Sequence, residues 1–91
     1  MEAAKLRHWM EANSARLRSN GYALTFKDHE QGQTSLDLDS TEFMGTISCW
    51  PNGPCEVQFH STKSGDVLFL IPEIELEGDH LIKALEQHRV I

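Results

Sequence analysis

The stretch Glu42-Phe43-Met44-Gly45-Thr46-Ile47-Ser48-Cys49-Trp50, Pro51-Asn52-Gly53-Pro54, Cys55-Glu56-Val57-Gln58-Phe59-His60 decides the fold. Its first nine residues alternate, with Phe43, Gly45, Ile47 and Cys49 on one side and Met44, Thr46, Ser48 and Trp50 on the other. A period of two is the signature of a strand with one face buried. Pro-Asn-Gly-Pro then supplies a turn. Proline sets one dihedral, Asn-Gly tolerates positive φ, and the second proline limits further pairing. Alternation resumes with Cys55, Val57 and Phe59 inward against Glu56, Gln58 and His60. The pair is an antiparallel hairpin.

Working outward, Tyr22, Leu24 and Phe26 alternate with Ala23, Thr25 and Lys27. Residues 30–33 (Glu-Gln-Gly-Gln) form a turn, and Thr34 to Asp39 alternates again with Leu36 and Leu38 inward and Asp37 and Asp39 toward water. On the other side, Lys63-Ser64-Gly65-Asp66 is a turn. Val67 to Ile71 is continuously apolar and reads as the most buried strand; Pro72 ends it or moves it to an edge. Beyond it, Ile74 and Leu76 alternate with Glu73, Glu75 and Glu77. At the N-terminus, Leu6, Trp9, Met10, Asn13 and Leu17 recur at helical spacing over residues 2–19, with Asn20-Gly21 as the stop. A closing helix begins near Gly78-Asp79, with Leu81, Ile82 and Leu85 as its apolar stripe. The reading is one α+β domain spanning residues 1–91: an antiparallel four- to five-stranded meander with N- and C-terminal helices packed on one face. The other face is left to solvent or a partner.

Charge is laid out in a pattern. No lysine or arginine occurs between Lys27 and Lys63, an interval that holds Asp28, Glu30, Asp37, Asp39, Glu42 and Glu56, and the chain carries a net charge of −6. Such a field repels nucleic acid and attracts a basic partner. The opening residues contain no apolar core of a leader peptide, and no run approaches the roughly 18 apolar residues of a membrane span. With only Cys49 and Cys55, the composition predicts a cytoplasmic protein whose cysteines stay as thiols; if oxidised, the pair would cross-link across the Pro-Asn-Gly-Pro turn.

Asp37, Asp39, Glu42 and Glu56, with Glu73, Glu75 and Glu77, are the candidate partner contacts. The blander reading is a solvated face that deters strand-to-strand aggregation. Without interleaved cations, the arrangement favours a partner surface. A glycosidase pair would need two carboxyls about 5 to 10 Å apart in a cleft, which a small sheet does not offer. Cys49, Cys55 and His60 fall short of the four ligands of a structural zinc site, and the five histidines show no ligand spacing. No phosphate loop, nucleophile elbow or metalloprotease helix is present, so the reading is a binder without catalytic residues or cofactor. Trp9 lies on the helix stripe as core. Trp50, at a strand end, reads as an interface anchor or as core. Phe43 and Met44 cannot both face the helices, so one of them is also a candidate contact.

An acidic domain of this kind suits the basic active site of a nuclease, its carboxylates standing in for phosphates. The N-terminal helix with Leu6 and Trp9, the stretch Phe43-Met44-Gly45-Thr46-Ile47 with Trp50, the turn before Val67-Leu68-Phe69, and the helix His80-Leu81-Ile82-Lys83-Ala84-Leu85 together resemble the TriTu-type immunity proteins of bacterial contact-dependent growth inhibition. That resemblance implies a one-to-one complex with a cognate toxin, a transfer-RNA-cleaving nuclease domain dependent on elongation factor Tu, within an assembly that includes the factor. The alternative is an acidic secretion chaperone for an effector protein, which would dimerise and expose apolar patches.

Overall fold

The computed structural model describes residues 2–29, 32–51 and 54–91. Glu30, Gln31, Asn52 and Gly53, which belong to two of the turns read above, lie outside them. The order is α1 (Glu2–Ser19), β1 (Ala23–Asp28), β2 (Thr34–Asp39), β3 (Phe43–Cys49), β4 (Cys55–Ser61), β5 (Val67–Ile74) and α2 (His80–Gln87). The five strands form one antiparallel sheet in chain order, a meander.

Register follows parity. Leu24 pairs with Leu38 and Phe26 with Leu36; Leu36 pairs with Ile47 and Leu38 with Gly45; Ile47 pairs with Val57 and Gly45 with Phe59. All of these lie on the face that both helices cover. α1 spans β1 to β3, burying Leu6, Trp9 and Leu17. α2 buries Leu81, Ile82 and Leu85 and lies toward β5, where the His88 ring stacks on Phe69 at 4.0 Å. The helices are tied to each other by Arg16 and Glu86 at 2.8 Å. Fully buried Phe59 is central: Tyr22 meets it edge-on at 6.2 Å and Phe69 stacks on it at 5.2 Å.

The two helices end alike. After α1, Gly21 takes φ 92°, its N–H reaching the Arg18 carbonyl at 2.9 Å and that of Tyr22 the Leu17 carbonyl at 3.1 Å. After α2, Arg89 takes φ 59°, with Arg89 to Glu86 at 3.0 Å and Val90 to Leu85 at 3.1 Å. This double bond pattern satisfies carbonyls that a helix end leaves open, and it favours an apolar residue after the left-handed one. Here those residues are Tyr22 and Val90, both buried. The Tyr22 hydroxyl donates to the Val90 carbonyl at 2.6 Å, so the two helix ends are joined. At the start of α2, Asp79 makes no side-chain cap bond. It turns to Lys83 at 3.2 Å, whose hydrogen bond and charge hold the carboxyl below its ordinary range.

Burial pushes the Tyr22 phenol up to about 12, the Glu42 charge adding to the rise and a Ser40 hydrogen bond opposing it. Below pH about 10 the phenol is neutral in both folded and unfolded chains. Between about 10 and 12 the unfolded chain releases the proton while the folded chain keeps it, so stability falls as pH rises through that window. As Tyr22 is the one tyrosine, alkaline titration by ultraviolet absorbance reads it alone. A midpoint near 10 in the folded protein would contradict this burial. Tyr22→Phe should remove this pH dependence and cost about 1 kcal/mol at neutral pH by leaving the Val90 carbonyl without its donor.

Two expectations are corrected. Cys49 and Cys55 are direct partners across the β3–β4 hairpin, with Cα atoms 4.1 Å apart and their sulfurs bonded, rather than two free thiols. The alternation that puts both inside also puts them face to face, and the short connection keeps them there. Closing so small a loop stabilises by about 2 kcal/mol on chain-entropy grounds. Reduction should therefore lower Tm by roughly 10 °C, at about 4–8 °C per kcal/mol. Thiol titration of the purified, unfolded protein should find no free thiol until reductant is added.

The second correction concerns Val67 to Ile71. It is the edge strand rather than the most buried one: Val67 is 53% exposed, Leu68 44% and Leu70 50%, and only Phe69 is buried. Continuous apolarity predicts a strand covered on both faces, but helices cover this sheet on one face only. Pro72 is compatible with the edge position, where a missing donor costs no ladder bond.

Candidate partner-binding face

The uncovered face is written by the residues of opposite parity, which the register sets in three rows across the strands. The first row runs Ala23, Asp39, Met44, His60, Val67. The second runs Thr25, Asp37, Thr46, Gln58, Leu70. The third runs Lys27, Ser35, Ser48, Glu56, continued on β5 where the register shift between Cys55 and Val57 leaves Pro72 and Glu73 between Ile71 and Ile74. A second shift sets Val67 and Leu68 together at the His60 position. The face therefore grades from carboxylates on β2, through hydroxyls and an amide, to aliphatic side chains on β5.

The structure sorts the sequence candidates. Asp37 is tied down: Lys27 Nζ stands 3.0 Å from its carboxylate and the Thr46 hydroxyl donates to it at 3.2 Å. Its role is therefore partly to fix the register of β1, β2 and β3. Asp39 and Glu42 are exposed, and among the described residues neither has a cation within ion-pair distance. Asp39 is in the first row; Glu42 is in the β2–β3 loop, on the rim of an open cleft with Arg89, Ser40 and Asn20. That loop is held by Ser40, whose hydroxyl accepts from the Phe43 N–H at 3.0 Å.

Glu56 is half-buried and Glu73 exposed, at the end of the sheet away from Asp39. Trp50, 40% exposed, stands beyond Cys49 at that same end, about 20 Å along the strand from Met44. Glu75 and Glu77 leave the open face altogether: Glu75 lies by His80, and Glu77 lines a groove with Lys5, His8 and Trp9 of α1. Period two groups the carboxylates Glu73, Glu75 and Glu77 only while the segment stays in the sheet, and β5 ends at Ile74.

Sequence reasoning set one of Phe43 and Met44 aside as a contact but missed the β5 part of the aliphatic end of this face. Met44, 46% exposed, with Val67, Leu68 and Leu70, makes up most of the large exposed apolar side chains. The available signal was the proline at position 72, which marks an edge.

No helix among the described residues is long and apolar enough to cross a membrane. No curated protein and no solved structure matches the chain. The family model described as "Immunity protein TriTu" matches residues 4–87, which takes in α1 but for its first two residues, all five strands and α2. The chain belongs to the TriTu immunity protein family.

Proposed function

We propose that this protein neutralises its cognate toxin by binding it through the open face of the sheet, and that the toxin is a basic, RNA-cleaving nuclease domain. An immunity protein acts on a toxin, and family membership supports that much. The observation that carries the finer reading is that Asp39, on the face no helix covers, and Glu42, in the β2–β3 loop at its rim, are exposed and without cation partners among the described residues. Carboxylates so placed meet the lysines and arginines with which a nuclease holds phosphate, and they accelerate encounter by long-range attraction. Glu56 and Glu73 extend the same field to the far end of the sheet. No group of the immunity protein needs to react. Occupying the basic surface suffices, and the complex accommodates elongation factor Tu where the toxin carries it. The cytoplasm is where such a toxin finds transfer RNA and where this protein would meet it. The reducing pool there would open the Cys49–Cys55 bond, leaving the hairpin register that sets the two residues opposite each other.

Co-expression with nuclease-type toxin domains in a growth assay identifies the one that the wild-type chain neutralises. Association kinetics with that purified domain then test the face. The variant Asp39→Asn/Glu42→Gln/Glu56→Gln/Glu73→Gln should associate at least about tenfold more slowly at low salt, with a flatter salt dependence. Unchanged kinetics would show that the toxin docks elsewhere.

A further inference from the structure

Resting on that reading, we infer that the toxin is held, as distinct from attracted, by the aliphatic corner Met44, Val67, Leu68 and Leu70 around His60. The surface this corner fits is an apolar projection of the toxin flanked on one side by lysine or arginine. The four side chains are each 44% to 53% exposed, and the register makes them neighbours: Met44 with His60, His60 with Val67, and Leu70 beside Gln58 in the next row. An edge strand ordinarily carries charge to deter pairing. Val67 to Ile71 carries none, and the Pro72 and Glu73 that blunt this edge lie beyond it, so the aliphatic part of the strand has no charge of its own.

The charge around the corner selects the occupant. Asp39 continues the Met44 row onto β2, Glu42 lies in the loop just before β3, and Asp66 immediately precedes Val67. Against these acids stand Lys63 of the β4–β5 turn, beside the corner in sequence, and Arg89 in the cleft that Glu42 rims. A second copy of this chain fits poorly, because a two-fold interface places the same patch on both sides. It would bring two chains of net charge −6 together, acid flank included. A basic partner meets that flank with opposite charge and covers the aliphatic centre, the usual division between a polar rim and an apolar, energetically dominant core.

The experiment compares Leu68→Ser/Leu70→Ser with wild type against the purified toxin domain that wild type neutralises. Both side chains point to water, so the variant should keep its circular dichroism spectrum and Tm. We expect Kd to rise at least about 30-fold, carried by faster dissociation with the association rate within about threefold of wild type. The acid variant above should show the reverse split. A Kd within threefold of wild type would overturn the aliphatic anchor while leaving the toxin reading intact. Failure of wild type to neutralise any nuclease-type domain would remove the reading itself. A wild-type dimer in light scattering that the variant converts to monomer would assign the corner to self-association and overturn the inference.

Discussion

Gly45→Val should leave the protein largely unfolded at room temperature, the largest effect expected of any single substitution on the sheet. Gly45 pairs directly with Phe59, and the far end of that ring reaches over it. A Cβ built at position 45 would stand 2.6 Å from both Cε atoms of that ring. The ring has no room to retreat, because Tyr22 closes one side at 6.2 Å and Phe69 the other at 5.2 Å. Two effects oppose each other in the smaller change, Gly45→Ala. Restricting the unfolded chain stabilises by about 0.4–1 kcal/mol, whereas overpacking costs about 1–3 kcal/mol. Overpacking wins, and Tm should fall by roughly 10 °C at about 4–8 °C per kcal/mol.

Valine adds two more carbons to the same space. Its cost then approaches the whole stability of a chain this size, of order 5–14 kcal/mol at about 0.05–0.15 kcal/mol per residue. The cause is separable from a general intolerance of strand glycine. Gly45→Ala combined with Phe59→Leu should be less destabilised than the sum of the single changes, since the smaller side chain vacates the space that the methyl needs. Chemical denaturation of the four proteins measures that coupling, and strict additivity would contradict it.

Leu85→Ala should cost about 3 kcal/mol, within the range of about 2–5 for deleting a buried leucine, and detach the C-terminus. α2 has eight residues, too few to hold a helix in isolation, because nucleation is costly and a short helix recovers few bonds. It persists because Leu81, Ile82 and Leu85 are buried against the sheet. The Leu85 backbone carbonyl also receives the Val90 N–H that closes the helix. Loosening this residue therefore loosens the Val90 carbonyl on which the Tyr22 hydroxyl rests and the His88 ring stacked on Phe69.

Amide exchange should show protection falling first in residues 80–91 and only later in β2 and β3, with Tm lower by about 12–24 °C. Uniform loss across the chain would mean that α2 is not a separable unit. Toxin binding should survive at temperatures where the variant's sheet remains folded, because the open face is on the opposite side of the sheet.

The sequence by itself determined everything that rests on local periodicity. Alternation assigned Leu36, Leu38, Ile47, Val57 and Phe59 to the interior and Asp39, Met44, Thr46 and Gln58 to the other face. Short connections made the sheet a meander, and the spacing of Leu6, Trp9 and Leu17 made α1. Even the facing of Cys49 and Cys55 follows from parity across a tight turn. These are properties of adjacent residues, and the 2.0 and 3.6 repeats encode them directly.

Tertiary structure decided what depends on neighbours distant in the chain. Apolarity alone says that Val67, Leu68 and Leu70 seek cover, but not whether the fold supplies any. With the helices on one face only and β5 at the edge, cover is withheld and those side chains become surface. Charge counting likewise grouped Asp37 with Asp39, whereas folding brings Lys27 and Thr46 onto Asp37 and, among the described residues, leaves Asp39 without an ion pair. It also carries Glu77 round to α1, out of the field that charge counting shared between it and Asp39. Composition counts charges and apolar groups, but only the three-dimensional arrangement determines which of them are satisfied from within and which remain for a partner.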